Sequence, residues 1–294
     1  MTTATVPAPR RFDLLYQTYR VLRRNKRALA GFLILAGFLL MAAIGPYVVP
    51  LDMTAHYEQR YLPPSLAHPL GTDYVGRDTF ALIVHGSRDV LSIAFFAAVF
   101  TVGIALTVGM LSGLQGGMLD ALLMLLTNTV LTIPKFPVML VFATIFHVKD
   151  PVSLAIILSV WAWGGLARAV RSQILSLKER EFIEAARVMG LSLGHIIIKE
   201  LLPNIMPYVA INFLYIMKDA ITASVGLMLL GVIPFSASNW GMMLNLAIKQ
   251  AGAIYIPQGI YYATAPMVAI ILFQLGALFF AHGLDEVLNP RLRS

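Results

Sequence analysis

The sequence has no cysteine and few charged residues for its length. Asp, Glu, Lys and Arg make up 13% of its 294 residues, whereas 58% are hydrophobic. A soluble domain carries about 25% charged residues, so water is not the main solvent of this chain. The absence of cysteine excludes disulfide bonds and thiolate metal ligands. This composition predicts a protein that crosses a membrane several times.

The sequence also lacks the motifs of several enzyme classes. No Gly-x-x-x-x-Gly-Lys-Ser/Thr run occurs, so the chain cannot cradle the phosphates of ATP itself, and no His-Glu-x-x-His run occurs. Its six histidines show no metal-ligand spacing. The acids within the apolar runs are essentially Asp120 and Asp219, neither with a local acidic partner. We therefore predict no catalytic residue, no metal site and no cofactor in this chain. An intramembrane enzyme and a passive channel are the rival classes.

Six apolar stretches are long enough to cross a bilayer. They lie at about 28–49, 90–114, 119–147, 152–174, 204–232 and 262–283. The third is interrupted by Pro134 and Pro137, and the fifth by Pro207 and several glycines. Such breaks are tolerated where the backbone is buried in protein or lines a cavity. The expected fold is all-α, with residues 28–283 forming a six-helix transmembrane domain.

The Lys and Arg residues predict the orientation. A cytoplasmic N-terminus puts 15 of the 22 on the cytoplasmic side, so both termini are expected there in a multi-pass protein of the cell membrane. Residues 1–27 then form a cytoplasmic segment with an amphipathic surface helix, and 284–294 a cytoplasmic tail. Loop 50–89 and segment 233–261 face outside, the latter as short helices. Nucleic-acid binding is not indicated, because the basic residues flank apolar spans rather than forming one face.

The segment 176–203 is charged and rich in small residues, although it lies between two apolar spans. Ser176 and Glu179 have the spacing of a capping box, which predicts a helix that starts there. The helix is expected to run to Met189 and to end at Gly190. A second helix then leads into the fifth span, so the segment is predicted to be a helical hairpin on the cytoplasmic side.

The first helix of this hairpin is expected to place Phe182, Ala185, Ala186 and Met189 on one face, with Glu184 supplying charge beside them. Alanines at the centre allow another surface to approach closely. The same pattern also fits a helix that packs on its own bundle. The pattern alone does not distinguish docking from packing.

The hairpin resembles a known element, the EAA loop of type I ATP-binding-cassette importer permeases. The matching residues are Glu184-Ala185-Ala186-x-x-x-Gly190 and Leu202-Pro203, whereas Glu200 stands where a branched apolar residue is often found. The resemblance implies a coupling helix seated in a groove of a nucleotide-binding subunit, which would bind ATP and Mg²⁺. The implied coupling residues are Phe182, Glu184, Ala185, Ala186, Met189, Gly190, Leu202 and Pro203. A bulky residue in place of Ala186 is then expected to uncouple ATP hydrolysis from transport.

Other motifs narrow the resemblance. Four further motifs are similar to the second, or "C", permease subunit of dipeptide and oligopeptide transporters. They are His68-Pro-Leu-Gly-Thr-Asp-x-x-Gly-Arg-Asp78, Gly86-x-Arg88, Asn239-Trp240-Gly241 and the end from Gly283 to Arg293. The resemblance implies the type I importer transmembrane fold, alternating access driven by ATP, and a bilayer location. It also implies three kinds of protein partner: a homologous second permease, two ATP-binding subunits and an extracytoplasmic solute-binding protein. Di- or oligopeptides are the implied cargo, with oligosaccharides or nickel as alternatives.

Two adjacent charged residues, Lys218 and Asp219, lie near the middle of the fifth span. A charge within a bilayer is unfavourable unless it has a partner or faces water, so such residues are functional candidates. We take both as candidates for the translocation pathway, together with Lys135 and Trp161. The alternatives are a structural ion pair, to the other permease or to Lys135, and a core position for Trp161. Neighbouring helical residues point about 100° apart, so Lys218 and Asp219 need not pair with each other.

Overall fold

The computed structural model describes residues 25–146, 148–250 and 252–288. Within these ranges the regular structure is helical, apart from one isolated bridge between Thr72 and Asp78. Four helices are long and apolar enough to cross a membrane, and the number rises to six if each of two bent helix pairs is one span. The all-α prediction is therefore confirmed. Most of the predicted N-terminal amphipathic helix and the end of the predicted C-terminal tail lie outside the described residues.

Ten α-helices follow one another along the described chain. They are α1 (Lys26–Val48), α2 (Thr79–Gln115), α3 (Gly117–Thr132), α4 (Lys135–Ile145), α5 (Pro151–Val160), α6 (Gly164–Leu177), α7 (Glu181–Val188), α8 (Leu193–Leu229), α9 (Trp240–Asn245) and α10 (Ile260–Leu288). The pair α3 and α4 is bent by 88°, and the pair α5 and α6 by 59°.

The breaks in the spans lie only partly where the prolines suggest. Pro134 stands between α3 and α4, as expected, because a proline has no N–H to continue the helical hydrogen bonds. Pro137 lies in the first turn of α4, where a missing N–H is tolerated. The prediction for the fifth span is wrong, because α8 runs through Pro207 and its irregular turn is the π-helical Ile196–Leu201. The bend between α5 and α6 was not predicted.

Helix α2 is the central element of the bundle. Its residues Val102 and Ala105 are buried against Val170 and Ile174 of α6, and other parts of α2 contribute to the remaining apolar clusters. Helix α6 leads directly into α7. The packing of α2 on α6 therefore determines where the hairpin leaves the bundle.

The ends of the helices give the chain two distinct poles. His85 near the start of α2 hydrogen-bonds the carbonyl of Val49 after α1, at 2.8 Å, so the α1–α2 loop lies at one pole. At the other pole, the amide of Asn25 donates to Glu286 of α10 at 2.6 Å, which brings the two ends of the described chain together. The C-terminal end of α2 and the hairpin lie at this second pole, where Asp120 accepts hydrogen bonds from Ser112 of α2 and from Arg171 of α6, the helix that leads into the hairpin.

The α1–α2 loop spans residues 49–78 and is shorter than the predicted 50–89. It ends early because the side chain of Asp78 accepts a hydrogen bond from the Ala81 N–H at 2.8 Å and caps α2. The segment between α8 and α10 contains α9, a π-helical turn and two 3₁₀ turns. It packs on α2, since the buried Trp240 indole donates to the Ile83 carbonyl at 3.0 Å and a side chain at Gly86 would collide with the backbone of Ser238.

Candidate functional site

The first helix of the hairpin begins four residues later than predicted, because the residue before it is Arg180 and not the predicted cap Ser176. Helix α6 stays helical to Leu177, so Ser176 lies inside it and cannot cap α7. The residue before α7 is Arg180, which has an extended backbone and makes no capping hydrogen bond through its side chain. The predicted capping box is therefore wrong, because α6 continues through Ser176 to Leu177, which packs against the same cluster as Ile174.

The end of α7 follows the prediction. Gly190 has a φ of +73°, a left-handed conformation that glycine adopts without steric penalty. Its N–H donates to the Arg187 carbonyl at 2.9 Å, and the Leu191 N–H donates to the Ala186 carbonyl at 3.1 Å. This pair of bonds is a Schellman motif. Ser192 then caps α8 by accepting from the His195 N–H at 3.3 Å.

The two faces of α7 differ from the prediction at one residue. Ile183 and Ala186 are 0% and 2% exposed and pack in the cluster that contains Leu201. Phe182 and Met189 are 40% and 69% exposed. Ala186 therefore lies on the inner face, because residues three apart share one side of a helix and Ile183 is buried.

The outer face of α7 is an apolar stripe, which we define as Phe182, Ala185, Val188 and Met189, all exposed. Charged residues surround it: Glu181, Glu184 and Arg187 are exposed as well. Of the other predicted coupling residues, Leu202 is half-buried and Pro203 is exposed. Leu201, whose burial the sequence reasoning missed, anchors the second arm of the hairpin instead. Exposed apolar side chains in a polar surround are typical of a protein docking surface.

A cavity of about 170 Å³ lies among α2, α4, α5 and α8. Two of the predicted pathway residues, Lys135 and Asp219, line it. Asp219 also pairs with its neighbour Lys218, at 3.1 Å between Oδ1 and Nζ. The structure thus joins the two residues that the sequence left unpaired, and it brings Lys135 from another helix to the same space. We call this space the polar cavity.

Trp161 lies beside the polar cavity rather than in it. Its ring packs edge-on against Phe142, with 5.5 Å between the ring centres, at the bend between α5 and α6. The next residue, Ala162, lines the cavity. The buried indole N–H of Trp161 has no hydrogen-bond partner among the described residues. The position fits a packing role at the bend better than a wall of the cavity.

Sequence reasoning missed two polar residues near these sites. Thr101 lines the polar cavity, is 0% exposed, and its hydroxyl has no hydrogen-bond partner in the described part of the chain. Arg171 of α6 binds Asp120 of α3 with two hydrogen bonds of 2.5 and 2.6 Å. A lone threonine in an apolar run carries no signal of its own. The Arg171–Asp120 pair joins residues far apart in sequence, so no local pattern reveals it.

Comparison with known proteins identifies the family to which the sequence is similar. The model described as "Binding-protein-dependent transport system inner membrane component" matches residues 105–294. A second model, described as "N-terminal TM domain of oligopeptide transport permease C", matches residues 14–64. The two matched ranges include the whole of α1, the whole hairpin and the polar-cavity residues of α4, α5 and α8, whereas the cavity residues Ala97 and Thr101 of α2 lie between the two ranges.

Similar proteins match over most of their lengths. A protein of Brucella suis biovar 1 whose name describes a peptide permease is 31% identical over 274 residues, which is 91% of this chain and 88% of that protein. The dipeptide transport system permease protein DppC of Bacillus subtilis is 30% identical over 280 residues, 94% of this chain and 85% of its own. The oligopeptide transport system permease protein OppC of the same organism is 28% identical over 273 residues, with 92% and 88% covered.

Proposed function

The chain belongs to the family of binding-protein-dependent transport system inner membrane components, and from this premise we propose that it carries short peptides through the membrane. It is a multi-pass inner membrane protein and a permease subunit of an ATP-binding-cassette importer, a transporter component rather than an enzyme. Membership in this family implies that an ATP-binding component and a substrate-binding component work with it.

The peptide cargo is supported by the relatives. The three proteins compared above have names that describe peptide, dipeptide and oligopeptide transport, and this chain covers at least 85% of each. No feature of the described residues favours oligosaccharides or nickel over peptides, so these cargoes enter only as outcomes of the test below.

The observation that carries the coupling role is the apolar stripe of α7. A chain without a phosphate-binding loop takes its energy from another subunit. The apolar stripe is the exposed apolar surface to which such a subunit can bind. The inner face of the same helix is anchored by Ile183 and Ala186. A rigidly anchored helix with an exposed docking face transmits a push from the ATP-binding subunit to the bundle, through α6 on one side and α8 on the other.

We place the hairpin and both termini in the cytoplasm, in agreement with the distribution of Lys and Arg. The remaining partners of the proposed complex are a homologous second permease beside the chain, two ATP-binding subunits at the hairpin pole and a solute-binding protein at the pole of loop 49–78. ATP binding draws the coupling helices together, the spans rotate to open the outer side, and hydrolysis resets them. Lys135, Lys218 and Asp219 then face the pathway, with Trp161 at the bend beside it.

The test uses the complete transporter reconstituted in liposomes with its binding protein. Panels of di- and tripeptides, oligosaccharides and nickel salts are compared for uptake and for stimulation of ATP hydrolysis. We expect peptides alone to stimulate both, and uptake to stop when ATP hydrolysis is blocked. Stimulation by an oligosaccharide or nickel, with none by peptides, would replace the peptide assignment. Uptake that continues without ATP would show that the protein is a passive channel and not an ATP-driven transporter.

A further inference from the structure

The polar cavity contains a cation in an unusual place. Lys135 is the first residue of α4, directly after the 88° bend at Pro134. The N-terminal end of a helix already carries a partial positive charge, which disfavours a lysine and favours an anion. Within the described residues, no ion pair includes Lys135. The cavity therefore has a positive corner formed by the ammonium and the helix end.

The opposite charge enters the same cavity from α8. Asp219 lines it and holds only its neighbour Lys218 within ion-pair distance in the described chain. Its side chain is 72% exposed, so its second oxygen is open to another cation. A lining that presents one cation and one anion from different helices is complementary to a ligand that carries both charges.

A third polar group points to a ligand independently of the charges. The hydroxyl of Thr101 is buried and has no hydrogen-bond partner among the described residues. A buried hydroxyl without a partner is unfavourable, because it has lost its hydrogen bonds to water. A threonine inside a helix usually donates to the carbonyl four residues earlier, and Thr101 does not. A ligand that offers an amide or carboxyl oxygen in the cavity would remove this penalty.

We propose that the polar cavity is a transit site for the zwitterionic main chain of a short peptide. The Lys135 ammonium and the start of α4 hold the terminal carboxylate, Asp219 holds the terminal ammonium in exchange for Lys218, and the Thr101 hydroxyl donates to a peptide oxygen. The inference rests on the peptide cargo proposed above and adds the residues that would recognise it.

The size and the remaining lining agree with this assignment. A cavity of about 150 Å³ accommodates benzene, so the 170 Å³ of this one accommodates about one residue of a peptide, and the rest of the peptide lies on the open side, where the side chain of Asp219 is 72% exposed. The other lining side chains, such as Phe136, Met139 and Leu158, are apolar and make no sequence-specific hydrogen bonds. Recognition of the main chain with an apolar, tolerant wall suits a carrier of many different peptides.

The test compares one tripeptide in three forms: free, acetylated at its N-terminus and amidated at its C-terminus. Each form is supplied to the complete reconstituted transporter at a concentration that saturates the binding protein, as measured beforehand by titration. The variants are Lys135→Gln, Asp219→Asn and Thr101→Val, with Lys135→Arg to keep the charge. Thr107→Val is the matched control, because Thr107 lies on the same helix, bonds the Gly103 carbonyl and does not line the cavity.

Loss of one charge should act on one end of the peptide. Removing a charge-assisted hydrogen bond lowers uptake by about tenfold, so Lys135→Gln should do this to the free and acetylated peptides and leave the amidated peptide nearly unchanged. Asp219→Asn should show the mirror image, with the acetylated peptide spared. Thr101→Val should lower uptake of all three forms, Lys135→Arg should retain the selectivity, and Thr107→Val should transport as the unchanged chain does.

Equal effects of Lys135→Gln and Asp219→Asn on all three peptide forms would overturn the inference while leaving peptide import intact. Failure of the unchanged transporter to import any peptide would instead overturn the proposed cargo. Assembly of each variant is checked by its ATP hydrolysis without peptide. If Lys135→Gln does not assemble, the comparison of acetylated and free peptide in Asp219→Asn decides the question alone.

Discussion

The α1–α2 loop and the α7 hairpin lie at opposite poles of the molecule, and both carry clusters of charged side chains. In the loop these charges meet one another. Arg77 donates to Asp73 through Nε at 2.7 Å, its Nη2 lies 2.6 Å from the same carboxylate oxygen in an ion pair, and His68 bonds Asp78 at 2.7 Å. In the hairpin, residues 178–192, which the structure describes completely, contribute to none of the ion pairs found.

This difference separates two ways of making a binding surface. The loop is folded by its own contacts: the Asp73 carboxylate also accepts from the N–H groups of Val75 and Arg77, and Thr72 bridges Gln59 and Leu62. The hairpin keeps one face anchored and leaves its charges and the apolar stripe free. The loop, whose charges are already paired, suits a partner that binds transiently. The hairpin, whose charges and apolar stripe are unpaired, suits a subunit that stays bound.

The largest expected effect comes from breaking the loop at its centre. The side chains of Asp73 and Arg77 are 0% and 8% exposed, so Asp73→Asn leaves a buried guanidinium without its counter-charge. Breaking a buried ion pair on one side destabilises a protein by about 3–5 kcal/mol. We expect a clear fall in Tm of the purified chain in detergent. Asp52→Asn, at an exposed position of the same loop, is the matched control and should lower the Tm far less, because its ion pair with His56 is exposed to solvent. An unaltered Tm for Asp73→Asn would mean that the loop is held by other contacts.

Substitutions on the two faces of α7 should have different effects. Ala186→Leu puts extra volume into a filled cluster and should destabilise the chain by about 1–3 kcal/mol, which lowers its Tm. Ala185→Leu adds the same volume to the outer face, so the Tm should not change, but docking of the ATP-binding subunit and ATP-driven transport should be lost. The single substitution at Ala186 expected from the sequence cannot separate these effects, because Ala186 is buried.

The comparison of Ala185→Leu with Ala186→Leu also tests the docking surface itself. The measurements are the Tm of the purified chain, co-purification of the ATP-binding subunit and uptake by the complete transporter. If Ala185→Leu docks and transports normally, the apolar stripe is not the contact with the ATP-binding subunit, whatever the result for Ala186→Leu.

The two faces of α7 illustrate which structural features can be predicted from the sequence. Spans, helical class and the end of α7 follow from apolar length and from one glycine, since these are local effects. Which face of α7 is buried does not follow, because Phe182 with Ala185 and Ile183 with Ala186 have the same spacing on a helix of only eight residues. Their difference comes from Leu201 on the second arm of the hairpin, which packs in the cluster with Ile183.

The same limit applies to the polar cavity. Lys135 and Asp219 are conspicuous in an apolar sequence, so both could be named from charge alone. Their convergence depends on the bend at Pro134 and on the continuous course of α8 through Pro207, and a proline by itself does not say whether a helix breaks there. Thr101 could not be named at all, because its lack of a hydrogen-bond partner is a property of the folded chain.

The smallest expected effect is a pH dependence at the exposed rim of the loop. His56 Nε2 lies 3.1 Å from Asp52 Oδ2 and 2.9 Å from the Thr54 hydroxyl, and Nδ1 lies 3.6 Å from Glu58. The hydrogen bond to Asp52 raises the pKa of His56 above its ordinary 6.5. Hydrogen bonds from Thr54 lower the pKa of Asp52 to about 2, so this acid stays charged throughout the range in which His56 titrates.

The sign of the pH effect follows from the raised pKa. The stabilising contribution of protonated His56 is complete below its ordinary pKa and is lost as the pH rises through the raised value. The Tm of the purified chain should therefore fall slightly between about pH 6 and about pH 8. The decisive quantity is the difference in Tm between the unchanged chain and His56→Gln, which cannot gain the charge. A difference in Tm that is constant with pH would show that the charge of His56 does not stabilise the loop.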